Sequence, residues 1–491
     1  MVRNFPFPLF PRFRFPLLVF RFHRFSFQHF SISSSKSSCQ SFLCRFLFAY
    51  FAVKMLSFCC AFRFSSSASS CAKASDVREA SEDGQLSALC LSILRRPSSI
   101  LIFCALMLGA PPAPAGNTVV AWGAGTNADE QSNNYGQSEI PASLTNAELV
   151  AAGRWHGLAV SAKGTLTGWG DDTLDQTAFG TGSNYLSIAC GYLHSLALKT
   201  NGAVVAVGDD SYGQIDVPAN VSNVVAMACG WYHCLVLKTD GTVAAWGTST
   251  NPLGHVTDRV SYGQSLVPSG LSNVVAIAGG GWHSLALKSD GTITGWGRND
   301  YDQATAPAGL SNVVAIAAGA ADSLALEANG RLIVWGDNTY GQTSVPPDLT
   351  NGVMAIAAGG WHILALKSNG KVVAWGAGHG TNAYVDYGQT NVPAGLTNVI
   401  QIAAGLYNSL ALVGSNPPVS TVPLTIAESG TNAFVAQLVT RNGRVYRLEY
   451  SSTLTNQTWA GFPLQAGNGG VLRFTDTNRA VSQRFYRVSQ W

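Results

Sequence analysis

Short apolar runs separated by glycine-rich and polar turns recur along the middle of the chain. One unit, residues 273–297, reads NVVAIAGGGWHSLALKSDGTITGWG. Its runs Val274–Ala278 and Leu285–Leu287 have the length and residue types of β-strands. The Asp290–Gly291 pair is typical of a tight hairpin, and we expect both of its residues at positive φ. Because the apolar positions do not follow a helical period, the pattern predicts an all-β region.

Two motifs mark this repeat, and each occurs seven times. The glycine of Ala-x-Gly-x-x-His, in which Asp or Asn twice replaces His, falls at Gly153, Gly191, Gly230, Gly280, Gly319, Gly359 and Gly405. The glycine of Trp-Gly, in which Val once replaces Trp, falls at Gly123, Gly170, Gly208, Gly247, Gly297, Gly336 and Gly376. The first motif recurs every 38 to 50 residues. That period predicts one four-stranded propeller blade per repeat.

The two ends of the repeat region complement each other. The last unit, residues 408–416, lacks its Trp-Gly strand, and the segment Thr118–Gly123 is such a strand without a unit. Pairing the two completes seven blades and removes open sheet edges, which otherwise promote aggregation. We therefore predict an all-β protein with a seven-bladed β-propeller over residues 117–414, closed by an N-terminal strand.

The residues before the repeats differ sharply from them. Residues 1–93 hold 17 of the 23 phenylalanines without strand or helix periodicity. We interpret this stretch as an upstream extension from a start codon assigned too early, or as a disordered segment. A targeting peptide or an arginine-rich and aromatic-rich nucleic-acid segment is the alternative.

Residues 94–116 have the layout of a signal peptide. Two arginines precede the apolar run Ile100–Ala110, and Ala113–Ala115 forms a small-x-small cleavage signal. Eleven apolar residues are too few to cross a hydrocarbon core of about 30 Å. We expect the mature protein to begin near Gly116, to be secreted or displayed at the cell surface, and to have no membrane anchor.

The tail forms a separate unit. After a proline-containing linker, residues 415–420, the segment 421–491 contains seven Arg, no Lys and three acidic residues. Its β-rich composition predicts a small C-terminal β-module with strands at Phe434–Thr440, Val445–Tyr450, Val471–Thr475 and Phe485–Val488. Its positive charge suits docking onto the propeller or onto an anionic polymer, with an ordinary solvated arginine face as the alternative.

Charge and cysteine content exclude several classes. Residues 117–414 carry 10 basic and 20 acidic side chains, so their net charge of −10 disfavours nucleic acid as a partner. Seven of the ten cysteines precede Gly116, which leaves Cys190, Cys229 and Cys234. An odd number without a Cys-x-x-Cys pair argues against a disulfide framework and against a zinc site. We interpret these cysteines as small buried residues.

The motifs resemble a known family. The strings WGDNTYGQTSVP (335–346) and AAGGWHILALKSNGKVVAWG (357–376) are similar to repeats of the regulator of chromosome condensation family. The short, regular repeats most resemble a secreted bacterial branch that includes a seven-bladed β-lactamase inhibitory protein. This resemblance implies a seven-bladed propeller with a binding role. Family analogy also allows a guanine-nucleotide exchange factor, the least favoured alternative.

The residues with catalytic potential have simpler interpretations. One His per blade occupies the same position in five blades, with Asp322 and Asn408 in the other two. Blade symmetry spreads these residues around a ring, so we predict a hydrogen-bonding role. The pairs Asp171–Asp172 and Asp209–Asp210 follow the Trp-Gly motif and are interpreted as turn residues. We therefore predict no enzyme activity, catalytic residue, metal or cofactor.

Aromatic residues in the Gly-x-x-His turns are the candidate binding site. Six of the seven turns contain one, and their identity varies between blades, which suits a surface more than a repeated core position. The predicted binding residues are Trp155, Tyr192, Trp231, Tyr232, Trp282, Trp361 and Tyr407. Core packing between blades is the alternative. Three insertions, 127–134, 250–259 and 378–386, lengthen connections on one rim.

Together these features favour an extracytoplasmic binding scaffold, a monomer that engages a protein or a surface glycan through aromatic loops on one propeller face. A hydrolase or lyase acting on polysaccharide is the alternative from another functional class. Convergent acidic residues in the central channel would indicate the enzyme, whereas exposed aromatic residues would indicate the binder.

Overall fold

Most of the repeat region and the C-terminal module are described by a computed structural model. The described residues are 116–125, 134–248, 260–377, 385–415, 421–422, 425–429, 434–452, 459–477 and 484–491, with 421–422 and 425–429 as backbone only. The predicted upstream extension, the signal peptide before Gly116 and most of the predicted linker lie outside them. No helix within the described ranges has the length and apolarity of a membrane span.

Residues 118–413 form seven three-stranded antiparallel sheets, the blades of a propeller. The first strands of the blades are β2 (Ala147–Ala152), β5 (Tyr185–Cys190), β8 (Val224–Cys229), β11 (Val274–Gly279), β14 (Val313–Ala318), β17 (Val353–Ala358) and β20 (Val399–Ala404). The middle strands are β3 (His156–Ser161), β6 (His194–Lys199), β9 (His233–Lys238), β12 (His283–Lys288), β15 (Asp322–Glu327), β18 (His362–Lys367) and β21 (Asn408–Val413). The third strands are β1 (Thr118–Gly123), β4 (Leu166–Gly170), β7 (Val204–Gly208), β10 (Val243–Gly247), β13 (Ile293–Gly297), β16 (Leu332–Gly336) and β19 (Val372–Gly376).

The predicted closure by an N-terminal strand is confirmed. Strand β1 pairs antiparallel with β21, from Thr118 opposite Val413 to Gly123 opposite Asn408. Trp122 is buried in this blade, and its Nε1 donates a hydrogen bond to the carbonyl of Gln389 (2.8 Å). The first strand of the repeat region therefore completes the last blade.

Glycines of the first motif bring neighbouring blades into contact. A Cβ atom at Gly191 would lie 2.7 Å from the carbonyl oxygen of Gly230 in the next blade. The same relation joins Gly405 of the last blade to the carbonyl of Gly153 in the first. A side chain at these positions would push two blades apart, so the ring requires glycine there.

Among the described residues, each blade has three regular strands instead of the four expected. Where the structure describes the whole segment after a Trp-Gly strand, that segment forms turns, as in residues 298–312. Its Gln side chain accepts a hydrogen bond from nearby backbone, as Gln303 Oε1 does from Tyr301 N–H (2.9 Å), and its proline lacks a donor for a ladder. The local bonds replace a fourth strand.

The hairpin turns also differ from the expectation. Lys288 N–H donates to the Thr292 carbonyl (2.8 Å), which leaves three residues in the loop. Of these only Gly291 has a positive φ (83°), and Asp290 Oδ1 accepts a hydrogen bond from Thr292 N–H (2.9 Å). Asp290 therefore caps a three-residue turn and does not share the left-handed conformation, so the predicted pair of positive φ angles was wrong.

The C-terminal module is a β-structure with its own core. Its strands are β22 (Thr421–Val422), β23 (Thr425–Ser429), β24 (Phe434–Val439), β25 (Val445–Ser451), β26 (Ala460–Gly461), β27 (Gln465–Ala466), β28 (Val471–Asp476) and β29 (Phe485–Gln490). All four predicted strands are present within a residue or two. A short 3-10 helix, Pro347–Leu349, lies in the propeller.

The module packs against the propeller at the end where the Asp-Gly hairpins lie. Gly443 N–H donates to the Val225 carbonyl (2.9 Å), and Leu464 N–H donates to the Ser289 carbonyl (3.0 Å). Val445 and Leu464 belong to the same buried apolar cluster as core residues of the propeller. The contact is made by backbone and apolar groups, and the Gly-x-x-His turns lie at the other end of the strands.

Candidate functional site

A layer of histidines connects adjacent blades. His283 Nε2 lies 2.8 Å from Ser323 Oγ of the next blade, and three more His–Ser pairs repeat this contact at 2.8 to 2.9 Å. Ser323 Oγ in turn donates a hydrogen bond to the carbonyl of Gln303 (2.7 Å). Because its own proton is used in that bond, Ser323 Oγ accepts a hydrogen bond from the imidazole N–H. Trp335 Nε1 donates to that same carbonyl (3.0 Å).

This layer is fully buried, which keeps four of its histidines neutral. Burial lowers the pKa of four of them from 6.5 to about 3, with the neighbouring His194 adding to the effect in two cases; the four are His156, His233, His283 and His362. Their Nε2 atoms contact serine side chains of the next blade. The arrangement agrees with the predicted hydrogen-bonding role and makes the layer part of the blade interface.

Asp322 is the exception within this layer. Its place in the repeat is that of the histidines, but Ile363 stands in the next blade at the position where four blades have serine. Its carboxyl oxygens are buried and have no hydrogen-bonding partner among the described residues. Burial raises its pKa well above the usual range. The folded protein therefore binds a proton here that an unfolded chain releases at neutral pH.

Replacing Asp322 by Asn should stabilise the protein at neutral pH. The folded pKa of Asp322 is raised, so the native carboxyl costs stability as pH rises above the unfolded value near 3.8. We expect Asp322→Asn to raise the free energy of unfolding by about 1–3 kcal/mol at pH 7 and by much less at pH 3. Urea unfolding at both pH values measures this.

Asn408 provides the matched control for that substitution. It occupies the same repeat position, and its Nδ2 lies 3.5 Å from the Gln137 carbonyl of the next blade. Asn408→Asp should destabilise the protein at pH 7 and much less at pH 3. Equal effects at both pH values would show that the charge of the buried carboxyl is not the cause.

The Gly-x-x-His turns place a cluster of aromatic rings at one end of the propeller. Ring centroids of Trp231 and Trp282 lie 4.3 Å apart, and those of Trp361 and Tyr407 lie 5.5 Å apart. Trp231 also contacts Trp361, 6.5 Å away and three blades along the ring. Because these two blades are not neighbours, the rings meet across the mouth of the central channel.

A second set of aromatic residues surrounds this cluster. The tyrosines of the Tyr-Gly-Gln loops contact the inner rings; the pairs are Tyr135–Trp155, Tyr212–Tyr232, Tyr262–Trp282, Tyr340–Trp361 and Tyr387–Tyr407. In each loop the Tyr N–H donates to the Oε1 of a buried Gln two residues on, as at Tyr262 and Gln264 (2.8 Å). This bond fixes the loop and turns the tyrosine outward.

Two arginines lie within the aromatic surface. Arg154 Cζ is 3.4 Å from the ring centroid of Trp155 and 4.1 Å from that of Tyr192. Burial raises the pKa of Tyr192 to about 12, so this phenol stays neutral beside the cation. Arg298 lies over Trp282 (5.1 Å) and is paired with Asp300 (2.7 Å). The surface therefore combines neutral aromatic rings with positive charge.

The channel beneath this surface is narrow. Its walls are glycine and other small residues of the first strands, and Arg154, Tyr192, Trp231 and Leu406 line its aromatic end. The cavity within the channel has a volume of about 80 Å³. Pockets for small organic ligands usually measure about 300–1,000 Å³, so this cavity holds a few waters and no sugar ring.

Comparison with known families finds a similar repeat. The model of the Regulator of chromosome condensation (RCC1) repeat matches residues 185–214, 224–251, 274–303, 313–342 and 354–382. Five of the seven blades thus contain segments that are similar to RCC1 repeats. No curated protein matches the sequence. The proposed placement in a secreted bacterial branch stays a prediction.

Solved structures of low sequence identity are similar to part of this chain. Human WBSCR16 is 20% identical over 61% of this chain and 99% of its own, with a TM-score of 0.45. Prp20p from Saccharomyces cerevisiae is 21% identical over 62% and 92%, with a TM-score of 0.46. The ectodomain of the Physcomitrella patens receptor kinase CR4 is 19% identical over 57% and 76%, with a TM-score of 0.42.

The propeller brings the seven predicted binding residues together at one end, but buries them more than expected. Trp155, Tyr192, Trp231, Tyr232, Trp282 and Trp361 are half-buried, and Tyr407 is buried. Among the described residues, the most exposed aromatic residues are instead Tyr135, Tyr262 and Tyr301, with exposures of 38%, 40% and 49%. Sequence reasoning did not choose these tyrosines or Arg154 as binding residues. The Tyr-Gly-Gln motif marked the loops of Tyr135 and Tyr262, whereas Tyr301 stands in a Tyr-Asp-Gln variant of it and Arg154 lies in a Gly-x-x-His turn.

The two carboxylate pairs are turn residues, as predicted, although Asp171 is buried. Asp171 accepts hydrogen bonds from Thr173 N–H (3.2 Å) and Gln176 Nε2 (2.9 Å). Asp209 forms the same two bonds in the next blade, with Ser211 N–H and Gln214 Nε2. These bonds tie the start of each loop to its glutamine. Residues 127–133, 250–259 and 378–384 of the three insertions lie outside the described part.

Proposed function

We propose that this protein is a non-enzymatic binding scaffold outside the cytoplasm, and that the aromatic end of its propeller binds a protein. The aromatic end comprises the inner rings of the Gly-x-x-His turns, the surrounding tyrosines and Arg154. The observation that carries the proposal is that aromatic rings from blades on opposite sides of the propeller cover the mouth of the central channel. This geometry presents a broad surface in place of a pocket.

The composition of the aromatic end supports a protein partner. Tryptophan, tyrosine and arginine are the residues most enriched at the energetic centres of protein interfaces. Here half-buried tryptophans lie beneath exposed tyrosines, so a partner would cover rings that are already held in place. Rigid rings lose little conformational freedom on binding, which favours affinity. A surface glycan is the other ligand class, and the experiment below distinguishes it.

The position of the C-terminal module is consistent with this proposal. The module contacts the propeller near Val225 and Ser289, at the opposite end of the strands. The aromatic end thus lies away from the module. The signal-peptide pattern in residues 94–116 supports a location outside the cytoplasm, and N-terminal sequencing of the mature protein tests it, with a start near Gly116 expected.

Replacing an exposed tyrosine should separate binding from folding. Tyr262 is 40% exposed and contacts Trp282, so Tyr262→Ala removes a contact surface but little core. We expect a change of about 0.5 kcal/mol or less in stability. Partner binding should weaken by about 2 kcal/mol, roughly thirtyfold. Thermal melts and affinity capture from an extracellular extract of the native host measure the two effects.

Two further measurements complete the test. Leu186 is similarly exposed (43%) but lies at the start of β5, so Leu186→Ala should leave binding unchanged. Protease treatment of the extract should abolish capture of a protein partner, whereas periodate treatment should abolish capture of a glycan. Equal capture by wild type and Tyr262→Ala would exclude the aromatic end as the binding surface.

A further inference from the structure

The three cysteines of the propeller lie in two adjacent blades, and two of them form a cluster with a histidine. Cys229 at the end of β8 faces Cys234 of β9 in the antiparallel register. Cys234 Sγ lies 3.2 Å from His194 Nε2 of the preceding blade. One ligand atom from each of these three residues lies within 4.8 Å of the other two. Atoms this close can bind one metal ion after small side-chain rotations.

The cysteines replace the residues that other blades use at the same two positions. Cys234 stands where Ser195, Ser284, Ser323 and Ser409 accept the histidine hydrogen bond. Cys229 stands where most blades have alanine or glycine. Both changes occur in one blade and face the same histidine. Where other blades have a His–Ser pair, this blade interface therefore has two thiols and one imidazole.

This donor set suits a thiophilic cation. Thiolate and imidazole ligands together are typical of Zn²⁺, and two Cys with one His leave one of four tetrahedral positions open. Cys190 and Cys229 line the central channel, so the open position can face that cavity. Cys190 occupies the same repeat position as Cys229 one blade earlier and is half-buried. A water molecule or Cys190 can therefore supply the fourth ligand.

Metal binding requires a change at Cys234 that the surroundings can accommodate. In the metal-free protein Cys234 Sγ lies 3.3 Å from the Gln214 carbonyl, to which it donates. The thiol proton leaves when the metal binds, and this hydrogen bond is lost. Trp246 Nε1 continues to donate to the same carbonyl (2.9 Å), so that the buried oxygen keeps a partner.

We propose that His194 Nε2 and the Sγ atoms of Cys229 and Cys234 form a Zn²⁺ site in the wall of the central channel. Binding forms one Zn–N and two Zn–S bonds; the proton on His194 Nε2 moves to Nδ1, and the two thiols release two protons to solvent. The ion links the second and third blades, so it stabilises the folded state. The site is separate from the aromatic end and does not depend on the proposed partner.

Cobalt substitution tests this site in the full chain. The protein is reduced, freed of reductant and titrated with Co²⁺, whose thiolate bonds give a charge-transfer absorption band, and then with competing Zn²⁺. We expect one Co²⁺ per chain, displacement by Zn²⁺ and a higher melting temperature with either ion. Absence of the charge-transfer band in the reduced wild-type protein would overturn the proposal.

Variants that restore the residues of other blades identify the ligands. Cys234→Ser and Cys229→Ala should each weaken Zn²⁺ binding by more than about 100-fold. Mutation of residues that only hydrogen-bond to metal ligands already lowers metal affinity by about 10–100-fold, and these cysteines are ligands themselves. Ser284→Ala, at the position of Cys234 one blade on, should bind Co²⁺ as wild type does. Unchanged affinity in Cys234→Ser would contradict the site. A Cys229–Cys234 disulfide in protein purified without reductant would do so as well, because it would assign these thiols to a bond.

Discussion

Acidification below pH 6.5 should unfold this protein over a narrow pH range. Burial holds the pKa of four histidines at about 3 in the folded state, below the unfolded value of 6.5. Their stabilising contribution is therefore complete above pH 6.5 and is lost as pH falls toward 3. Each contributes about 1.4 kcal/mol per pH unit while only the unfolded chain binds its proton. Four such groups together lose roughly 5.6 kcal/mol per pH unit.

This loss is large compared with the stability of ordinary domains, which is roughly 5–15 kcal/mol. We expect urea unfolding at pH 7, 6, 5 and 4 to show a steep decline in the free energy of unfolding. His283→Asn, which introduces the residue found at position 408, should reduce the slope by about a quarter. A stability that stays flat between pH 6.5 and 4 would rule out neutral buried imidazoles as the cause.

Removal of strand β1 should disrupt the last blade and cause association between molecules. A chain that begins at Ala124 lacks all six pairs between β1 and β21 and the buried indole of Trp122. Loss of a buried tryptophan costs about 3–5 kcal/mol, and the exposed edge of β21 can pair with another molecule. Thermal melts and analytical ultracentrifugation measure the two effects.

A chain that begins at Gly116 is the matched control, since it keeps β1 but lacks everything before it. The chain that begins at Gly116 should be monomeric and should melt at a higher temperature than the chain that begins at Ala124. A peptide of residues 116–123 added to the shorter chain should restore part of the lost stability by occupying the empty edge. If both chains are monomeric with equal melting temperatures, β1 does not close the ring.

The aromatic residues show how far repeat position alone can predict a surface. The variable residues between Gly and His were correctly placed at one end, because equivalent repeat positions occupy equivalent sites in every blade. Their exposure was overestimated, because rings from opposite blades meet over the channel and cover one another, as Trp231 and Trp361 do. The orientation of the exposed tyrosines depends on a hydrogen bond between a glutamine side chain and the backbone, as between Gln264 and Tyr262. The spacing of residues in the sequence does not show this bond.

The cysteines give the opposite lesson. The spacing rule for zinc sites looks for two cysteines two residues apart, and Cys229 and Cys234 do not satisfy it. The hairpin that joins β8 and β9 nevertheless sets them opposite each other, and the blade interface adds His194. The available signal was that both replace the usual residue of their repeat position within one blade.

The sequence by itself determined the number of blades, the strand that closes the ring and the module that follows. Motif counts and an orphan strand are properties of the chain order, and every blade except the last is built from strands that are consecutive in sequence. The contacts between blades required the tertiary structure. His283 and Ser323 are 40 residues apart, as are His194 and Cys234, and nothing local relates them. They meet because the ring places each middle strand beside the middle strand of the next blade. The layer of histidine hydrogen bonds, the aromatic end and the cluster of His194 with two cysteines therefore form only when the ring closes.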